Sequence, residues 1–282
     1  MILNFDTFHI SYQIVFLFWL ATQNGANGQE SPPEVTKKPS FFNMNNVNEL
    51  FNLEHLLDEF NGPRLCRVPG VTDMMTRYNE TVKKSVNLST NVPMKPFIAI
   101  ESVYNAGRRT VTELVAHALG GVYSTNPPKI MQGFSTAFDG MFIRRKYYAL
   151  SKYASSNLVR GARLFHPVVM EKYYYDQAVF IIAKTYIDTN LPPADDPIYD
   201  WPPDLLKPDL VFFLNYPDDP TTNLFTQKMV TLFRTMRDPP VVEIDAGHSV
   251  HIMANDIIHN INSALGTEYP LLSDHPREPP KK

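Results

Sequence analysis

Cysteine is almost missing from this chain. Cys66 stands alone in 282 residues, which excludes an internal disulfide framework and a cysteine-built zinc site. A basic excess is also missing. Lys and Arg number 26 against 29 acids, a formal net charge of -3. Nothing is in surplus to neutralise a nucleic-acid backbone, so a general DNA- or RNA-binding role is disfavoured. The apolar run at residues 14–21 (IVFLFWLA) falls well short of the roughly 20 residues that cross a bilayer. The eight histidines show no metal-ligand spacing. Glycine is scarce beside proline, 12 against 24, and many prolines lie near the ends. That distribution points to extended flanks around a compact middle. With 44% apolar and 20% charged residues, the middle can build a core of ordinary size.

The ends read as follows. Residues 1–28 look like a signal peptide: the 14–21 run has the length of an h-region, and Ala26, Asn27 and Gly28 follow with small residues at a cleavable spacing. A basic n-region is absent, since the first 36 residues hold no Lys or Arg. A mitochondrial presequence is the alternative, and Asp6 with no Arg argues against it. The expectation is a secreted or endomembrane-lumen protein without a transmembrane span. Two N-glycosylation sequons, at Asn79 and Asn87, agree with that route. Residues 29–94 read as a polar linker carrying one amphipathic helix at 46–60, where Leu50, Leu53, Leu57 and Phe60 recur at helical spacing. Residues 269–282 read as a disordered tail. The folded domain is expected over 95–268.

Within it, short apolar runs alternate with helical patterns. Strands are expected at 97–100, 168–170, 210–214 and 241–244, and helices at 110–119, 141–159, 176–187, 224–236 and 251–265. Apolar strands alternating with helices imply an α/β fold, a three-layer parallel sheet with helices on both faces. Ligands bind such sheets at the carboxyl ends of the strands.

The first strand-to-helix turn invites comparison with a phosphate loop, which needs G-x-x-x-x-G-K-[ST]. Residues 102–109 read SVYNAGRR. Only Gly107 matches strictly. Ser102 stands for the first glycine, Arg108 for the lysine and Arg109 for the metal-binding hydroxyl. Alone, the stretch is better explained as an ordinary turn.

Other segments change that weighing. Phe97-Ile98-Ala99-Ile100-Glu101 precedes the loop. The helix-forming run at 143–153 reads IRRKYYALSKY. Residues 201–211 read WPPDLLKPDLV, and Glu243-Ile244-Asp245-Ala246 closes the last strand. In this order, residues 95–266 resemble the thymidylate kinase family, nearest to its mitochondrial UMP-CMP kinase branch. The resemblance implies a P-loop NTPase-like fold. It assigns nucleotide contacts to Ser102, Gly107, Arg108, Thr110, Arg145, Tyr148, Lys152 and Tyr173. Tyr148 would stack on a base and Lys152 would read it, although Tyr147, Tyr148 and Tyr153 read equally well as packing residues.

The same resemblance marks what is damaged. Arg109 deletes a Mg²⁺ ligand and brings a cation to its place. Tyr104 replaces an acid. The family's Asp-Arg-Tyr motif is Glu171-Lys172-Tyr173, so a bidentate fork becomes a flexible point charge. The segment 215–222 (NYPDDPTT) offers two acids and no base where lid arginines are expected, and is short for a lid. Arg108, Arg109, Glu171 and Lys172 are therefore expected to be vestiges rather than working catalytic groups.

Three readings follow. The first is a catalytically impaired thymidylate-kinase-like protein that acts by binding nucleotide or protein, needing no cofactor. The second is an active nucleoside monophosphate kinase using ATP and Mg²⁺. The third is an extracellular interaction protein with a vestigial pocket. A homodimer is implied by the family; no protein partner is named by the sequence.

Overall fold

The computed structural model describes residues 47–85, 93–104, 107–216 and 222–273, all within one unit, Asn43–Lys282. The signal-peptide-like segment and Asn87 lie outside the described residues.

Three helices come first: α1 (Val47–Leu50), α2 (Leu53–Asn61) and α3 (Val71–Ser85). The single helix expected at 46–60 is broken in two. Asn52 is extended, and its side chain accepts a hydrogen bond from the His55 backbone N–H at 2.9 Å, so a new helix starts there. The linker reading fails from Val47 onward. Val47, Phe51, Leu56, Phe60, Val71, Met74 and Tyr78 are all buried. In α3 the buried positions 71, 74, 78 and 81 follow a helical period.

The α/β part follows in chain order: β1 (Phe97–Ser102), α4 (Arg108–Ala118), β2 (Val122–Thr125), α5 (Phe134–Ala137), α6 (Arg144–Ala162), β3 (Val168–Glu171), α7 (Tyr174–Thr185), β4 (Leu210–Asn215), α8 (Leu224–Thr235), β5 (Val241–Asp245) and α9 (Val250–Leu265). The five strands form one sheet in the order β2-β3-β1-β4-β5, and every pairing is parallel. The expected fold class is observed, with one strand more than expected. β2 escaped the sequence reading because Val122-Tyr123-Ser124-Thr125 lies at the sheet edge and is only partly buried, so it needs no apolar run.

Alternation along the strands builds two cores. Phe97, Ala99, Val168, Met170, Val211 and Phe213 join one core, with α1–α3, α6, α7 and α8. Ile98, Ile100, Val169, Phe212 and Leu214 join the other, with α4 and α9. The tail reading is also corrected in part. Asn262 binds the backbone of Tyr269, and Asn255 that of Leu272, through side-chain hydrogen bonds of 2.7–3.1 Å. Residues 267–272 are therefore tied to α9, and the rest of the tail lies outside the described residues.

Candidate functional site

The carboxyl ends of β1, β2 and β3 carry most of the buried charge. β1 ends in Glu101 and Ser102, both buried. Gly107 then opens α4 with φ 67°. A Cβ there would meet Val250 Cγ1 at 3.0 Å, so glycine is required twice over, by backbone and by space.

Arg108 does not reach outward from this loop. It is buried and turns back beneath the loop. Its Nη1 donates to the Ser102 hydroxyl at 2.8 Å and the Ser102 carbonyl at 3.1 Å. Its Nε donates to Glu171 Oε2 at 3.4 Å. The other Glu171 oxygen accepts the Tyr123 hydroxyl at 2.6 Å; burial, then this carboxylate, push Tyr123 up to about 12. Ser102 in turn donates to the Tyr104 carbonyl. The guanidinium is thus bound within the chain, and the expectation that Arg108 meets a nucleotide phosphate is corrected.

Arg109 goes the other way. It is exposed and pairs with Glu113 one turn on, at 2.9 Å. It does not crowd a metal position, but it supplies no oxygen to one. The nearby Thr112 hydroxyl is buried and donates to the Arg108 carbonyl at 2.7 Å, and Thr110 is exposed. Among the described residues no three His, Cys, Asp or Glu side chains gather in a metal-binding group. Arg109 therefore brings no hydroxyl to the position where the family resemblance implies a Mg²⁺ ligand.

The turn after β3 is held by its own contacts. Lys172 sits at φ 58°, unusual for a residue with a side chain. Its N–H donates to Ile100 O at 3.2 Å, and the Tyr173 N–H donates to Glu101 Oε1 at 3.0 Å. Tyr173 is fully buried. Its ring packs against Phe97 at 5.2 Å and Trp201 at 5.8 Å, and its hydroxyl donates to Leu206 O at 2.9 Å. It is core, and its expected nucleotide contact is corrected.

Helix α6 puts Arg145, Tyr148 and Lys152 on one face, at spacings of three and four. Tyr148 is half-buried, with the Arg144 guanidinium 5.8 Å from its ring centre. Burial lowers Arg145 from its ordinary value. Tyr147 and Tyr153 are packing residues, buried and bonded to Met131 O and to Asp204 Oδ1, each at 2.8 Å. Lys152 is buried at the strand ends; its Nζ donates to Asn126 Oδ1 at 2.9 Å and to Lys172 O at 3.4 Å. Asn126 is itself locked by donating to Ser151 O and Ser155 Oγ at 3.0 and 2.9 Å.

The loop between β4 and α8 runs only from 216 to 223, and residues 217–221 lie outside the described residues. Its two described ends bracket Tyr104: Tyr216 packs edge-on at 5.8 Å and Thr222 shares a 2.9 Å hydrogen bond with the Tyr104 hydroxyl. Two arginines farther on are engaged elsewhere. Arg234 binds Glu243 through two hydrogen bonds of 2.7 and 2.8 Å. Arg237 pairs with Asp200 at 3.5 Å, just before β5 begins and so at the opposite end of the strands.

The sequence reading missed Tyr123, Asn126 and Asp176, and it took Glu101 only as part of a motif. Tyr123 and Asn126 come from the unforeseen strand β2 and the turn after it, so no local pattern marked them.

No family model matches the chain. Over 192 residues it is 29% identical to the mitochondrial UMP-CMP kinase 2 of Homo sapiens, an alignment covering 60% of this chain and 43% of that protein. The chain therefore spans less than half the length of this curated relative. A solved thymidylate kinase from Candida albicans is 13% identical, with a TM-score of 0.47 over 64% of this chain and 96% of that one. The sequence similarity is thus to a protein named as a mitochondrial UMP-CMP kinase, the branch that the motifs resemble. Among the described residues no helix is long and apolar enough to cross a membrane.

Proposed function

We propose that this is a thymidylate-kinase-like protein that has lost ordinary phosphoryl transfer and acts by binding. The burial of Arg108 carries this reading. In a working loop the cation at this position must reach the transferring phosphates, and catalysis is chiefly positioning and charge stabilisation. Here it is held by Ser102 and Glu171. The missing metal hydroxyl at Arg109 and the absence of a base in 216–223 support the same reading.

What remains is the monophosphate side. Arg145 and Tyr148 share a face of α6, and Lys172 lies at the adjacent turn. A nucleoside monophosphate is therefore the expected ligand, with no requirement for Mg²⁺. The homology with UMP-CMP kinase 2 supports dTMP, UMP or CMP as probes. Calorimetric titration of the full chain with ATP, dTMP, UMP and CMP, with and without Mg²⁺, tests this. Monophosphate binding indifferent to Mg²⁺ agrees with the proposal. Tight binding of Mg²⁺–ATP refutes it, and binding of neither class leaves a protein-interaction role with a vestigial pocket.

For location, the apolar run at 14–21 supports the secretory route, and the lack of Arg before residue 37 weighs against a mitochondrial presequence. The mitochondrial name of the homologue supports the alternative.

A further inference from the structure

Two opposite charges are buried side by side without meeting. Glu101 is 1% exposed. One of its oxygens accepts the Tyr173 N–H; the other, Oε2, has neither solvent nor a hydrogen-bond partner. Lys152 is 2% exposed, and the acceptors around its Nζ, Asn126 Oδ1 and Lys172 O, are both neutral. Among the described residues neither group forms a direct ion pair. Yet both hold the same turn: Glu101 grips the N–H of Tyr173, and Lys152 grips the carbonyl of Lys172, the residue at φ 58°.

A buried carboxylate oxygen without a donor is costly, and so is a buried ammonium without a direct ion pair; at Lys152 burial outweighs the opposing pull of Asp176 and Glu101. Each cost disappears when the group becomes neutral, or when the turn opens and water enters. The surrounding charges come from every adjoining element: Arg108 from α4, Glu171 and Lys172 from the end of β3, and Asp176 from α7. Tyr123 lies beyond them on β2, hydrogen-bonded to Glu171.

We infer that Glu101 and Lys152 form a proton-binding device that sets how readily the turn at 171–173 opens. With a proton on Glu101 the closed turn carries one buried charge of this pair, that of Lys152, instead of two. When Glu101 ionises while Lys152 is still charged, both charges are stranded and opening relieves them. Burial raises Glu101 and lowers Lys152 from their ordinary values, so both are charged in the closed turn near neutral pH, where opening is greatest. Opening frees Glu171, and with it the Arg108 contact that fastens the loop after β1. No nucleotide enters this argument, and it stands whether or not the chain transfers phosphate.

The test is native-state hydrogen exchange of the Tyr173 amide, expressed as a protection factor so that intrinsic exchange chemistry is removed. In the full chain protection should fall roughly tenfold between pH 6 and pH 7.5, as linkage requires of a group whose affinity for protons drops on opening. Glu101→Gln imitates the protonated state and should flatten the profile. Lys152→Met removes the nearby cation and should move the fall to higher pH. A purely structural Glu101 would lower protection in the Gln variant by the same factor at every pH, leaving the slope intact. That result overturns the inference. So does a flat profile in the unmodified chain, which needs no variant to fold.

Discussion

Arg108 and Glu171 lie 63 residues apart in the chain and meet at 3.4 Å, with 6% and 11% of their side chains exposed. One opens the helix after β1, and the other ends β3. Their contact takes the loop's principal cation and couples two neighbouring strand ends.

Phosphoryl transfer should be far below the ordinary kinase range, which starts at about 1 s⁻¹. An arginine delivered to the transferring group is worth about 10³–10⁵ in rate, and 216–223 delivers none. Arg108→Lys with Arg109→Thr should therefore not restore full activity. A coupled assay with ATP and dTMP, UMP, dUMP or CMP checks both statements. Turnover of about 1 s⁻¹ in the unmodified chain would show that another cation serves the lid.

Arg108→Met should lose about 3–5 kcal/mol of stability, because it strands a buried carboxylate and not because the pair is intrinsically strong. Glu171→Gln should cost less, since the amide can still accept from Tyr123. Urea unfolding of the three chains gives the comparison. Equal stability of Arg108→Met and the unmodified chain would refute this.

Global stability should dip near neutral pH. Glu101 holds its proton more tightly folded than unfolded, so its contribution is complete in acid and is lost as pH rises through about 7. Lys152 releases its proton earlier when folded, so stability returns as pH climbs from about 8 toward the unfolded lysine value. Melting temperatures at pH 5.5, 7.5 and 9 should show the middle value lowest. A maximum at pH 7.5 would mean that the two charges find water or each other.

A chain beginning at residue 93 should fail to unfold cooperatively. It would lack α1–α3 and leave the α6 surface under Met74 and Tyr78 bare. Near-UV circular dichroism with an ordinary melting transition would contradict this.

An epitope-tagged full chain should enter the secretory route and shift in mobility on glycosidase treatment. Recovery from mitochondria with Asn79 and Asn87 unmodified would refute the assignment.

The central strands were legible because burial on both faces demands unbroken apolar residues, as in Phe97–Ile100 and Leu210–Leu214. β2 was not, because an edge strand can be Val-Tyr-Ser-Thr. α3 was overlooked although Val71, Met74 and Tyr78 keep a helical period, since the charged residues between them resemble a linker. At the site, residue types were readable and directions were not. Nothing local tells that Arg108 points inward, since that depends on Glu171 in β3; only the outward Arg109 has its partner nearby, in Glu113. Tyr173 could be read as a nucleotide contact only until Phe97 and Trp201 enclosed it.

Asp204 accepts from the Leu53 N–H with one oxygen and from the Tyr153 hydroxyl with the other, both at 2.8 Å. The first of these bonds spans 151 residues. During synthesis α2 emerges from the ribosome long before the acceptor of its first N–H exists. Leu56 and Phe60, buried in the finished protein, must wait through most of translation without a surface to cover them. Domains ordinarily fold as units as they emerge; this one can close only after its Trp-Pro segment has been made, which leaves a long interval for chaperones to engage its first helices.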